Sequence, residues 1–341
     1  MKPKVVQIDP QNIDLEELKH AAEVINNRGL VAFPTETVYG LGADALDSKA
    51  ATSIFEAKKR PLDDPLIVHI AEKDDLYRLV QEVPHEVEKL IERFWPGPLT
   101  VILKKTDLVP DIVTTGLDTV AVRMPSNPIA RKFISLCGTP LAAPSANLFG
   151  RPSPTTAKHV VDDLNGSIDL VIDGGSSEIG VESTVIEFDE GKTIVLRPGG
   201  INLEDIKLFV GDIELAEETG HIERSPGKYP QHYSPKAEVV LVENSSDQVE
   251  EVLTAAYRLE QEGNKIGILS TREHEDSFRA FCVKVLGPQK DGKICASRLF
   301  HMLREFDVDE VNVIVAEGIP EDGLGYAVMN RLRKAVGPDL Y

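Results

Sequence analysis

The sequence predicts an α/β protein: a twisted mixed sheet with helices packed on it, followed by a smaller Rossmann-like α/β domain. Three observations lead there. Through the first two thirds, strand-like apolar runs and helix-like periodic stretches are mixed without strict alternation, as in a mixed sheet. An acidic, turn-rich interruption follows at about 211–236, and beyond it strands and helices alternate as βαβ units. A length of 341 residues is also too much for one ordinary core. The expected division is 1–210, a linker at 211–236, and 237–341.

Asp14-Leu15-Glu16-Glu17 reads as a capping box, with Asp14 as N-cap and Glu17 reaching back. Leu15, Leu18, Ala22 and Ile25 follow at helical spacing, and Gly29 stops the run. Leu30 to Phe33 is then a buried strand ending at Pro34. Asp47 opens a second helix through Ile54 and Phe55, with Leu66 to Ile70 as the next strand. Further strands are expected at Leu99 to Leu103, Val120 to Arg123, Leu170 to Ile172, Thr184 to Phe188 and Ile194 to Leu196. Further helices are expected at Glu86 to Phe94, Ile129 to Leu136 and Ala157 to Leu164. The linker holds Glu214 to Gly220 and the turn-forming run Ser225 to Pro230. After it come strands at Glu238 to Glu243, Ile266 to Leu269 and Val311 to Ala316, with helices at Gln248 to Gln261, Ala296 to Phe306 and Ala327 to Lys334. No Gly-x-Gly-x-x-Gly follows the first of these strands, so dinucleotide binding there has no support.

Hydrophobic residues at 42% and charged residues at 27% suit a soluble globular chain, and no apolar run is long enough to span a bilayer. The start lacks a signal-peptide core, which makes the cytoplasm the expected location. Cys137, Cys282 and Cys295 lie far apart without a Cys-x-x-Cys pair, so neither a zinc cage nor a disulfide framework is expected. Cys282 and Cys295 could pair only in an oxidising setting. A net charge of -19 argues against direct nucleic-acid binding over a broad surface but leaves room for a small cationic pocket.

The candidate chemistry is scattered. Pro34-Thr35-Glu36-Thr37-Val38-Tyr39-Gly40-Leu41-Gly42 follows a strand with hydroxyls, one carboxylate and two glycines; a capped turn and a small polar-ligand site both explain it. Lys58-Lys59-Arg60-Pro61 ends a helix, where cations favour the dipole by a few tenths to about 1 kcal/mol. Alternatively, Lys58 is a point charge and Arg60 a fork for phosphate. Trp95 to Thr100 reads as a buried tryptophan anchoring a corner. Arg123 closes an apolar strand and must either form a structural salt bridge or bind a carboxylate. In Ala142-Ala143-Pro144-Ser145-Ala146-Asn147, extended backbone would put Ser145 and Asn147 on one side. Arg151 to Thr155 lies just beyond. Glu182-Ser183-Thr184 and Leu196-Arg197-Pro198-Gly199 place a hydroxyl and a cation at strand ends. His69 in its apolar strand reads by itself as a satisfied core histidine. No P-loop, His-Glu-x-x-His or Gly-x-Ser-x-Gly motif is present, so an ATP user of this kind holds its triphosphate another way.

In this order, Pro34 to Leu41, Lys58-x-Arg60-Pro61, Pro65-Leu66-x-Val68-His69, Trp95 to Thr100, Val122-Arg123, Pro144 to Asn147, Glu182 to Thr184 and Leu196 to Gly199 resemble the YrdC-type threonylcarbamoyl-AMP synthases. Tyr229 to Pro235 and Gly325 to Arg331 resemble the two-domain form, so the likeness covers essentially the whole chain. It implies a YrdC-like catalytic domain that joins threonine, bicarbonate or carbon dioxide, and ATP into threonylcarbamoyl-AMP and pyrophosphate. A transient hand-off to a tRNA threonylcarbamoyltransferase would follow. Carried over, Lys58 and Arg60 are the catalytic cations. Together with Asp64, Thr119, Ser145, Asn147, Ser153, Arg197 and Tyr233 they bind ATP. Thr37, His69, Arg123, Ala143 and Ser183 bind threonine. The resemblance turns His69 from core residue to ligand contact. Magnesium is expected with the triphosphate, without a named protein ligand. Lys59 stands where the family commonly has a smaller or uncharged residue, and either aids phosphate binding or faces solvent. Tyr229 to Pro235 could act as a lid over the nucleotide. Two other readings remain: a binder of structured RNA, which the acidity disfavours, and a related carbamoyl-adenylate transferase, which would need zinc-finger-like Cys-x-x-Cys pairs.

Overall fold

A computed structural model describes residues 2–189, 191–216, 227 and 229–336. The chain forms two compact units. The first runs to residue 228 apart from Gly150–Ser153 and Ile179–Val181, and the second comprises those two short segments and the chain from Tyr229 onward.

The first unit begins with β1 (Lys4–Gln7), α1 (Leu15–Asn26), β2 (Val31–Phe33), β3 (Gly40–Asp44), α2 (Ser48–Lys58) and β4 (Ile67–His69). It continues through α3 (Leu76–Leu79), α4 (His85–Phe94), β5 (Leu99–Lys104), α5 (Asp111–Thr114), β6 (Thr119–Arg123), α6 (Pro128–Cys137) and β7 (Leu141–Ala142). It closes with α7 (Ala157–Leu164), β8 (Leu170–Asp173), β9 (Thr184–Asp189), β10 (Lys192–Arg197), α8 (Leu203–Val210) and β11 (Ile213–Leu215). Among the described residues the strands form one eleven-stranded sheet in the order β1-β8-β2-β3-β7-β4-β6-β5-β9-β10-β11. Parallel pairs (β4 with β6, β5 with β9) sit beside antiparallel ones (β5 with β6, β9 with β10), so the sheet is mixed as expected.

Local chemistry accounts for the helices. The Asp14 carboxylate accepts from the N–H groups of Glu16 and Glu17, a cap that contributes about 1 kcal/mol. Glu17 does not complete a capping box; its carboxylate takes Lys4 at 3.1 Å instead. Asp47 caps α2 in the same way, and Asn127 with Pro128 opens α6. Leu18, Ala21, Ala22 and Ile25 of α1 and Ile129, Phe133 and Ile134 of α6 pack with Val31, Phe33 and Ile172 on one face of the sheet. On the other face, α2, α4 and α7 join Ala32, Leu41, Val68, Val101, Val122 and Ile186 in the larger core.

The stretch read as a linker starts differently. Ile213–Leu215 is an edge strand paired with β10, although its acidic Glu214 resembles linker composition. Of the remainder, residues 217–226 and 228 lie outside the described residues, and the chain from Tyr229 on belongs to the second unit.

The second unit contains β12 (Glu238–Val242), α9 (Gln248–Gln261), β13 (Ile266–Thr271), β14 (Cys282–Gly287), α10 (Gly292–Val308), β15 (Val313–Glu317) and α11 (Gly325–Val336). Among the described residues its four strands are all parallel, in the order β12-β15-β13-β14. The expected alternation is broken once: β13 reaches β14 through the 3-10 turn Glu275–Phe278 rather than an α-helix. Cys137, Cys282 and Cys295 are free thiols, and burial pushes Cys137 and Cys295 up to about 12. Among the described residues, no helix is long and apolar enough to cross a membrane.

Candidate active site

Strand alternation explains how polar side chains come to stand on an apolar sheet. In β4, β6 and β5 successive side chains point to opposite faces. The register aligns His69 with Arg123 and Arg123 with Thr100, and two residues along it aligns Ile67, Ala121 and Ile102. The intervening Val68, Val122, Val101 and Leu103 belong to the large core. Ile67, Ala121 and Ile102 form a separate small cluster with Val185, Ile194 and Leu196. The row His69–Arg123–Thr100 therefore stands on the face away from the main core, beside a small apolar floor.

Arg123 is 4% exposed, so its charge needs partners. Nη1 donates to Thr37 Oγ1 at 2.8 Å, Nε donates to Gly97 O at 3.3 Å, and Nη2 lies 2.6 Å from Glu36 Oε1. Thr37 Oγ1 is in turn 2.8 Å from Thr35 Oγ1, whose hydroxyl donates to Val38 O at 2.5 Å. The Pro34-to-Gly42 segment is thus a capped turn and a polar cluster together. Burial, and then the charge of Arg123, depress the His69 pKa to about 3, so the ring is neutral at physiological pH. Its Nδ1 lies 3.3 Å from Ile67 O, and the tautomer that donates there leaves Nε2 as an acceptor.

A second group forms at the end of α2. Lys59 caps this helix in the left-handed conformation, and Arg60 N donates back to Phe55 O at 2.9 Å. This turn sends Lys58 and Arg60 inward and leaves Lys59 exposed, so the extra cation faces solvent. Lys58 Nζ donates to the carbonyls of Ser145 and Asn147, the latter at 2.5 Å. Arg60 Nη2 pairs with Asp64 Oδ2 at 2.8 Å and donates to Pro65 O, while Nε donates to Asp64 O. Asp64, fully buried, also accepts from Gly227 N at 2.9 Å. Ser145 and Asn147 do not lie on one extended strand, as their alternation had suggested. Asn147 N donates to Ser145 O at 3.0 Å, so the chain bends between them and both carbonyls reach Lys58.

A third group joins β5, β9 and β10. Ser183 Oγ lies 2.7 Å from Thr100 Oγ1, and Arg197 Nη2 donates to both Ser183 O (3.0 Å) and Ser183 Oγ (3.1 Å). Ala143 N donates to Ile67 O, which holds the Ala143–Asn147 stretch against β4. Thr119 shares the site-bearing face, but it sits four residues before Arg123, about 13 Å along the strand. Ser153 and Tyr233 belong to the second unit. There Ser153 is fully buried, and the Tyr233 ring stacks on Phe300 at 5.3 Å with Arg331 over its face at 5.2 Å.

Residue-by-residue reading of the sequence left Glu36 and Thr100 without a role. The only signal for Glu36 was one carboxylate among hydroxyls. Thr100 has none, because its place beside Arg123 and Ser183 comes from strand register. Trp95 is buried with Nε1 donating to Leu99 O at 2.7 Å, the corner anchor that its setting implies.

Buried cations beside hydroxyls at the strand and helix ends of a mixed sheet suit a protein that binds small anionic ligands. Comparison with known proteins makes this specific. Residues 23–199 match the Sua5, YciO and YrdC family model, described as telomere recombination, and residues 201–337 match the model of the threonylcarbamoyl-AMP synthase C-terminal domain. The threonylcarbamoyl-AMP synthase of Pyrococcus abyssi is 48% identical, covering 96% of this chain and 96% of its own length. That of Bacillus subtilis is 43% identical, covering 94% and 93%. The crystal structure of P. abyssi Sua5 complexed with L-threonine is similar over 97% of both chains, with 46% identity and a TM-score of 0.91. The chain belongs to the threonylcarbamoyl-AMP synthase family.

Proposed function

We propose that this chain is an L-threonylcarbamoyladenylate synthase, a nucleotidyltransferase that converts L-threonine, bicarbonate or carbon dioxide, and ATP into threonylcarbamoyl-AMP and pyrophosphate. The product serves threonylcarbamoyladenosine modification of tRNA through a transient hand-off to a tRNA threonylcarbamoyltransferase. The observation that carries this reading is the near-full-length likeness to a Sua5 crystallised with L-threonine.

The site's chemistry suits the reaction. A carbamate oxygen must approach the α-phosphate, so two anions have to be neutralised and aligned; no covalent nucleophile is needed. Lys58, immobilised by two carbonyls, and Arg60, immobilised by Asp64 and Pro65, are cations already held in place. Arg60 Nη1 has no partner among the described residues and is the donor we assign to phosphate. Ser145, Asn147, Arg197 and Thr119 complete the nucleotide side, and Ser153 and Tyr233 join it on the resemblance alone. Arg123 takes the threonine carboxylate. The neutral His69 accepts from the threonine hydroxyl, and Thr37, Ala143 and Ser183 line the remainder.

Among the described residues, no group of three or more His, Cys, Asp or Glu side chains could hold a metal ion. Magnesium enters the proposal only with the triphosphate, without a named protein ligand, and would neutralise phosphate charge there.

The test is an omission assay. Pyrophosphate should be released only when ATP, threonine and bicarbonate are all present, and release that ignores threonine would contradict the proposal.

A further inference from the structure

Glu36 is 5% exposed, and both of its carboxylate oxygens are closed off from solvent. Oε1 lies 2.6 Å from Arg123 Nη2 but off the line of a hydrogen bond, and Oε2 has no hydrogen-bond partner among the described residues. Removing a carboxylate from water costs several kcal/mol unless donors meet its lone pairs. It offers about four such positions, and a single unaligned ion pair fills few of them. Asp64, equally buried, shares half of this shortfall: Oδ1 accepts from Gly227 N, while Oδ2, 2.8 Å from Arg60 Nη2, has no aligned donor among the described residues. At Glu36 neither oxygen has an aligned donor, whereas both oxygens of the buried Glu317 accept from Thr271, so the full shortfall is not a general feature of carboxylates in this fold.

Arg123 is under-used in a complementary way. Nε is taken by Gly97 O and one Nη1 hydrogen by Thr37, while Nη2 has no aligned acceptor. A guanidinium and a carboxylate side by side, each with capacity left, match a zwitterion. A free α-amino acid carries both complements on adjacent atoms.

We propose that Glu36 is a threonine-binding residue whose Oε2 accepts an N–H of the substrate's α-nitrogen, while Arg123 takes the α-carboxylate. The inference rests on the reading of the chain as a threonine-using synthase. The contact can persist along the reaction, because the ammonium carries three N–H bonds and the carbamate nitrogen keeps one. Glu36 thus holds the nitrogen in place while its chemistry changes, and it rejects acids that lack the nitrogen, since these would leave a buried carboxylate unmatched.

Calorimetric titration with a non-hydrolysable ATP analogue present tests this. Three probes are used: L-threonine, β-hydroxybutyrate (which lacks the α-nitrogen), and threonine methyl ester (which lacks the free carboxylate). The unsubstituted protein should prefer threonine to β-hydroxybutyrate by about 100-fold or more. Glu36→Gln, which keeps the size of the side chain, should compress that ratio to roughly 10-fold or less. The threonine-to-ester ratio, which reports on Arg123, should stay within about threefold. An unchanged threonine-to-β-hydroxybutyrate ratio in the variant overturns the proposal and leaves the synthase reading standing, because threonine is still bound. Failure of the unsubstituted protein to bind threonine removes both. If Glu36→Gln does not fold, the unsubstituted protein decides: the 100-fold preference supports the contact, and equal affinities overturn it.

Discussion

Glu36 and Glu317 are both carboxylates withdrawn from water near the end of a buried strand, one in each unit, and their surroundings differ. Glu317 closes β15 and accepts from Thr271 N at 2.7 Å and from the hydroxyls of Ser270 and Thr271 at 3.1 Å, with His274 Nδ1 as a further partner. Its lone pairs are met by groups from the adjoining strand β13 and the turn after it. Glu36 faces a single guanidinium, and one of its oxygens meets no donor. A carboxylate whose needs the fold meets locally holds structure together. One left short is a place where the fold reserves bonding capacity for a ligand, and the cost is borne by the rest of the core.

The sharpest way to break this contrast is Arg123→Met. It leaves Glu36 buried and uncompensated, so stability in urea denaturation should fall by about 3–5 kcal/mol. Adding Glu36→Gln to Arg123→Met should recover a large part of that loss; a double variant as unstable as the sum of the singles would mean that the two residues do not communicate. Next in size is Lys58→Met, which removes a fixed cation from the proposed nucleotide side. It should lower kcat/KM for threonine-dependent pyrophosphate release by about 100- to 1,000-fold.

His69 gives a prediction in pH. Its pKa is near 3 in the folded protein and near 6.5 when unfolded, so the unfolded chain takes up the proton first as pH falls. The stability tied to its neutral form is complete above pH 6.5, drains away below it, and stops changing near pH 3. Between pH 6.5 and 4.5 this amounts to roughly 2–3 kcal/mol. Stability of His69→Asn, followed by denaturation across that window, should decline less steeply by that amount; an identical slope would mean the ring is not buried neutral. The smallest effect belongs to the second unit. Glu317→Gln keeps the side-chain length but turns one acceptor into a donor facing Thr271, costing about 1–2 kcal/mol. Threonine affinity should not change in that variant, and a loss of affinity would blur the distinction between the two carboxylates.

Much of the fold is legible because periodicity and caps are local. Asp14, Asp47 and Asn127 sit where their helices begin, and α7 and α9 keep their expected limits. Strands without such signals escape notice. β3 starts Gly40-Leu41-Gly42, which reads as a loop. Its glycines serve packing instead, since a Cβ on Gly42 would come within 2.9 Å of the Phe33 ring. β7 is only two residues long, and β14 is a half-exposed strand reached through a turn. In the site, Lys58 and Arg60 show themselves through spacing along one segment, whereas the alternation of Ser145 and Asn147 misleads because the chain bends between them. The meetings of Arg123 with Glu36 and of Thr100 with Ser183 depend on strand register between distant segments, which composition and periodicity do not encode. The resemblance supplied what register hid, except for Glu36 and Thr100, to which it assigned no role.

The account stands most directly on the identity of the product. With isotopically labelled bicarbonate, ATP and L-threonine, mass spectrometry of the quenched reaction should find the label in an adenylate that also contains threonine, formed in step with pyrophosphate. Pyrophosphate or AMP formed without a labelled threonine adduct would contradict it.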